Sequence, residues 1–150
     1  MNLLIPPPVV GLLTAGVIWS LDRWVPLGDV QLAGQRALAI ACIVIGLAID
    51  VVSIVAFFRA RTTVSPLQPA NTQTLVVTGC YRFSRNPMYL GMLCVLIGWV
   101  LWLGTPLGLL ALVGFVAWIT VFQIKPEERA LADKFAEHYR EYCQRVRRWL

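Results

Sequence analysis

Residues 88–124 read MYLGMLCVLIGWVLWLGTPLGLLALVGFVAWITVFQI, and they decide the fold. The stretch carries no charge. Gly104 and Thr105 split it into two apolar runs, 88–103 and 106–124. A spanning helix needs about 20 mostly apolar residues. Two such runs joined by turn-forming residues read as a membrane hairpin. Toward the N-terminal side lie two further apolar runs, 37–58 and 4–21, the second opening on Pro6, Pro7 and Pro8. The expectation is an all-α membrane protein of about four transmembrane helices in a single domain, 1–150, followed by an interfacial helix over 126–148.

Composition agrees. The chain is 58% hydrophobic and 14% charged, against roughly half apolar and a quarter charged in soluble domains. Charge placement then orients the spans. Residues 22–36 hold Asp22, Arg23, Asp29 and Arg36, which cancel. Residues 59–86 hold Arg59, Arg61, Arg82 and Arg85 with no acid, and seven more basic residues follow position 124. Positive charge gathers on the cytoplasmic side of membrane proteins. A multi-pass protein of the cell inner membrane with both termini cytoplasmic is expected. The net charge of +5 then reflects topology and contact with membrane lipids, with no nucleic-acid partner. Cys42, Cys80, Cys94 and Cys143 show no metal-ligand spacing, so free thiols and no metal are expected.

Two polar stretches interrupt this apolar chain. The first is TGCYRFSRNPMYLG, residues 78–91, which ends the long 59–86 connection. Loops of that length are usually functional or disordered. The β-branched residues within TLVVT at 74–78 favour folding back onto the membrane face. The second runs from Pro126 onward. Leu131, Phe135, Tyr139, Tyr142, Val146 and Trp149 recur at steps of three and four, a helical period, while Lys134, Arg140, Arg145 and Arg147 take the other faces. Glu127 and Glu128 fall in the first turn of this expected helix, where acids complement the dipole. Asp50 lies inside an apolar run. A carboxylate there requires a partner, either a structural arginine such as Arg82 or Arg85, or a ligand in a polar pocket.

The topology brings both polar stretches to the cytoplasmic face. One contributes Tyr81, Arg82, Arg85, Asn86 and Tyr89, with backbone groups freed by Pro87. The other contributes Glu127 and Glu128, with His138, Tyr139 and Tyr142 in reach. Carboxylates, aromatics and irregular backbone suit a cationic, aromatic, ribose-bearing ligand. The sequence shows no glycine-rich phosphate loop and no Ser-His-Asp set.

The first stretch resembles the G-x-Y-x-x-x-R-H/N-P-x-Y-x-G signature of the isoprenylcysteine carboxyl methyltransferase family and its bacterial and phospholipid N-methyltransferase relatives. The second, EERALADKFAEHYREYCQRVRRW, is similar to that family's E-E-x-x-L-x-x-x-F-G-x-x-Y-x-x-Y-x-x-R-V signature. The resemblance implies a membrane methyltransferase using S-adenosyl-L-methionine on a lipophilic small-molecule or lipid acceptor. By position it implies a cofactor site of Gln73, Thr74, Leu75, Val76, Tyr81, Asn86, Pro87, Met88, Tyr89, Glu127 and Glu128. Asn86, Glu127 and Gln123 are the expected catalytic residues, and Gln123, Asp50 and Arg82 the expected substrate contacts. Three positions depart from the family pattern. Asn86 stands where many members have His, Ala136 where the tail signature has Gly, and Gln123 where carboxyl-methylating members have Arg. Two other functions fit parts of the chain: an NADPH-dependent membrane reductase related to sterol reductases, or a non-enzymatic four-helix transporter.

Overall fold

The structure, a computed structural model, describes residues 5–25, 32–59 and 75–150. Among them the chain is helical. Helix α1 is Pro7–Trp24, α2 is Gln35–Arg59, α3 is Pro87–Leu103, α4 is Gly108–Ile119 and α5 is Lys125–Arg145. A short 3₁₀ turn, Gly79–Arg82, precedes α3. Leu75–Val77, part of the β-branched piece, has no regular structure.

The helix starts follow from proline. Pro7 opens α1 and Pro87 opens α3, positions where a fixed φ helps and a missing N–H costs nothing. The first helix thus runs Pro7–Trp24 rather than over 4–21. Gly104 ends α3 with a left-handed φ of 77° and an N–H bonded to Val100 O at 2.9 Å. That conformation suits glycine, and it reverses the chain into α4.

Helices α1, α3 and α4 share an apolar core that includes Val10, Ile18, Leu96, Val100, Leu112, Phe115 and Ile119. Contact between α2 and α3 is of another kind. A Cβ placed on Gly46 would sit 2.6 Å from Gly91 O, and one on Gly98 would sit 2.7 Å from Ala39 O. The two backbones nearly touch and run antiparallel, as small residues permit in membranes. Gln35 Nε2 closes one end by donating to Leu101 O at 2.6 Å.

Large apolar residues point outward, among them Leu38, Val44, Ile45 and Val51 on α2 and Leu109, Leu110 and Val113 on α4. Water would penalise such a surface and lipid would not. Among the described residues, two helices are long and apolar enough to cross a membrane: Gln35–Ala56 within α2, and the continuous helix that starts at Gly108. Pro87–Leu103 is a shorter apolar helix.

The long helix corrects the expectation of a separate interfacial helix over 126–148. Helix α4 passes into α5 through one wide turn, Thr120–Ile124, in which the Lys125 N–H reaches back five residues to Thr120 O. Pro126 explains the widening: its ring would clash with the carbonyl four residues earlier in a regular helix, and it has no N–H to give. Because Ile124 and Lys125 keep helical φ/ψ, Glu127 and Glu128 do not face a free helix end, and the dipole role lapses. The helix stops at Arg145, not 148, and Val146 is extended.

A second irregularity lies at Ala136, with φ 41° and ψ −110°. A Cβ is strained there and glycine is not. Ala136→Gly is therefore expected to stabilise the protein by about 1 kcal/mol, read as a raised thermal midpoint in detergent. Ala136→Val should lower it.

Candidate functional site

The 3₁₀ turn, the start of α3 and the start of α5 meet at one end of the molecule. Tyr89, in the first turn of α3, donates its phenol to Glu127 Oε1 at 2.6 Å. Tyr142 of α5 donates to Tyr81 O at 2.6 Å. Both tyrosine rings of the first stretch, Tyr81 and Tyr89, are buried. Burial pushes the Tyr81 phenol up, and Tyr142 and Glu127 add to it. Tyr81 thus stays neutral and can serve as a wall or a hydrogen-bonding group.

Glu127 is pushed up to about 8, chiefly because its carboxylate is withdrawn from water; neighbouring Glu128 adds to the rise and the Tyr89 hydrogen bond partly offsets it. A carboxylate so destabilised by its surroundings is ready for a donor or a cation.

Glu128 has a different environment. Arg148 holds it through Nε–Oε1 at 3.0 Å and Nη2–Oε2 at 2.7 Å, and Arg85 Nη1 lies 3.3 Å from its Oε1. The hydrogen bond to Glu128 raises the Arg148 guanidinium. Bidentate pairs of this kind are strong and directional. Arg85 also donates from Nη1 to Cys143 Sγ at 2.6 Å. Glu127 and Glu128 are sequence neighbours with opposite settings: one is withdrawn from water against the Tyr89 phenol, the other is neutralised twice.

Asn86, which precedes α3, donates Nδ2 to Arg148 O at 3.0 Å and its backbone N–H to Ser84 Oγ at 3.1 Å. Pro87 is buried beneath it and Met88 is half-buried. Val76 is buried, and Leu75 packs with Tyr139, Tyr142 and Val146. The apolar stripe of the tail therefore meets the chain's own residues. Gln73 and Thr74 lie outside the described residues.

Asp50, on α2, lies against Gly91; a Cβ on that glycine would collide with its carboxylate. Its Oδ1 is buried without a hydrogen-bond partner. Among the described residues no ion pair joins it to Arg82 or Arg85. Arg82 is exposed, as is His138. Gln123, fully buried in the wide turn, donates Nε2 to Ile5 O at 2.6 Å and leaves Oε1 without a partner.

So Tyr81, Asn86, Pro87, Tyr89, Glu127 and Glu128 come together, with Asp50 against the first turns of α3. Gln123 instead ties the N-terminal segment to the wide turn. Sequence reasoning missed Ser84, Arg148 and Trp149. The arginine had been counted with the topological charges, and the tryptophan with the apolar stripe. The four cysteines are free thiols.

Comparison with known proteins supplies an independent line. The model of the phospholipid methyltransferase family matches residues 35–138. A protein of Haemophilus influenzae described only as uncharacterized is 49% identical over 63 residues, 42% of this chain and 100% of its own length. The Saccharomyces cerevisiae protein-S-isoprenylcysteine O-methyltransferase is 41% identical over 73 residues, 48% of this chain. That match takes in 30% of the yeast protein's length. No solved structure matches.

Proposed function

The chain belongs to the phospholipid methyltransferase family, and on that premise we propose that it transfers a methyl group from S-adenosylmethionine to a non-anionic nucleophile, an amine, on a lipid at the cytoplasmic membrane face. Four spans, made of α1, α2, α3 and α4, would place α5 and the site on that face, in keeping with the positive-inside rule.

The donor set fits the cofactor. Glu127 offers a carboxylate for ribose hydroxyls or an ammonium group, Asn86 offers an amide, and Tyr81 and Tyr89 offer buried aromatic walls. When bound, S-adenosylmethionine supplies an electrophilic methyl on a sulfonium. The side chains would orient that group and keep water out, and alignment of reacting atoms is the largest help such a site gives.

One observation carries the choice of acceptor. Arg85 and Arg148 both face Glu128, and the Gln123 amide is taken by Ile5 O. Among the described residues, no ion pair or hydrogen bond joins Glu127 to an arginine or lysine that could hold an acceptor's carboxylate. Asp50, with its unpartnered Oδ1, is instead suited to take the proton from a lipid ammonium, leaving an amine with a free electron pair. Exposed Arg82 would be available to a phosphate on the same lipid.

Isothermal titration of the detergent-purified protein with S-adenosylmethionine tests the donor; a folded protein giving no heat of binding refutes it. A labelled-methyl assay on extracted membrane lipids tests the acceptor. The label is expected in an alkali-stable N-methyl group. Release as methanol on mild alkaline treatment would mark a carboxyl ester and overturn the amine assignment.

A further inference from the structure

We infer that residues 146–150 brace the ligand-facing loop Ser84–Asn86, and that Arg148 is a positioning residue that acts through Asn86. The inference rests on the reading of Asn86 and Glu127 as ligand-facing groups.

After Arg145 the chain leaves the helix at extended Val146 and turns back along the site. Three consecutive residues then anchor to three different elements. Arg147 O accepts the Arg85 N–H at 3.0 Å, from the loop before α3. Arg148 grips Glu128 near the start of α5 with its guanidinium, and its carbonyl accepts Asn86 Nδ2. Trp149 donates its indole N–H to Thr120 Oγ1 at 3.3 Å, in the wide turn, and packs on the central core. Among the described residues, the loop's one backbone–backbone bond beyond its own neighbourhood comes from this segment. Phe83 and Ser84 bond to Cys80 O, and the Asn86 N–H bonds to Ser84 Oγ.

The consequence falls on a single side chain. An asparagine amide rotates through a broad, nearly two-fold well, and its two ends have opposite polarity. A carbonyl partner accepts only from the NH₂ end. Arg148 O therefore fixes Nδ2 inward and turns Oδ1 away, so that the site presents acceptor oxygens from Asn86 and Glu127 alike. The Arg148 fork on Glu128 holds that carbonyl in place, and Arg85, on the same carboxylate, ties the loop to the fork.

The test uses the full chain in detergent as wild type, Arg148→Ala and Arg148→Lys. Hydrogen exchange at the Arg85 amide reads the brace; titration with S-adenosylhomocysteine reads the positioning. In Arg148→Ala the Arg85 amide is expected to exchange at least about tenfold faster, with α2 and α3 amides unchanged. The dissociation constant should rise about tenfold, the equivalent of about 1.4 kcal/mol. Lysine keeps the charge without the fork and should fall between. Unchanged Arg85 exchange overturns the brace; faster exchange with an unchanged dissociation constant overturns the positioning role. If the alanine variant does not fold, the lysine variant is judged by the same two readings. A wild-type protein that binds no S-adenosylhomocysteine would instead refute the cofactor reading, while the exchange measurement still decides the brace.

Discussion

Glu127→Gln is expected to raise the dissociation constant for S-adenosylmethionine by about 10- to 100-fold without unfolding the protein. Hydrogen bonds to a charged partner contribute about 1.5–3 kcal/mol, and each 1.4 kcal/mol is about tenfold in affinity. Glutamine keeps the shape and can still accept from Tyr89, so the loss isolates the charge. The pH dependence makes the prediction sharper. Glu127 titrates at about 8 in the folded protein, against 4.5 in its ordinary setting. A ligand that needs the carboxylate must displace its proton below that pH. Affinity is then expected to rise by about tenfold per unit up to pH 8 and to level off above it. Titration at pH 7 in buffers of different ionisation enthalpy should show about one proton released per ligand, and none in Glu127→Gln. An affinity that falls with rising pH would mean that the protonated acid is the ligand-binding form. Ligand-free stability runs the other way. The folded state holds the proton over a range where the unfolded chain has lost it. The stabilising contribution is therefore complete below about 4.5 and is lost as pH rises through about 8.

Gly46→Val is expected to cost about 3 kcal/mol or more, at the upper end for overpacking. A Cβ there would lie 2.6 Å from Gly91 O, 2.9 Å from Val95 N and 2.8 Å from Val95 Cγ2. Two of those three atoms are backbone, so relief requires α2 and α3 to separate. Separation would also draw Asp50 away from Gly91, and loss of methyl transfer should accompany the loss of stability. Gly114→Ala is the control, because nothing lies within 4 Å of its added Cβ; a change of less than about 0.5 kcal/mol is expected. Equal thermal midpoints for the two variants would show that the α2–α3 approach carries no special constraint.

The sequence made the helices legible because lipid-facing runs need only be apolar and long. It left their pairing obscure. The closest approach of α2 and α3 is made by Ala39, Gly46, Gly91 and Gly98. Those residues lie seven apart within each helix and become a single seam only once α2 and α3 are antiparallel. The site was legible where a residue type has few uses, as with Asn86-Pro87 and the paired glutamates. What separates Glu127 from Glu128 was not, because it depends on Arg148, twenty residues further on, turning back after the helix ends. Gln123 shows the same limit. Its position suggested a substrate contact, yet its amide meets the carbonyl of Ile5, a partner no local pattern announces.

The wide turn at Thr120–Ile124 acts as a phase shifter between membrane and chemistry. It inserts one residue into the helical count, and each residue advances an α-helix by about 100°. Helix α4 therefore keeps its apolar face toward α1 and α3 while Glu127 arrives opposite Tyr89. A chain shortened by one residue within 120–124 could still form an unbroken helix of nearly the same length and hydropathy. Its carboxylate would keep nearly its present direction, because the wide turn absorbs the residue removed; closing the turn into a regular helix at unchanged length would instead point it roughly a quarter-turn away.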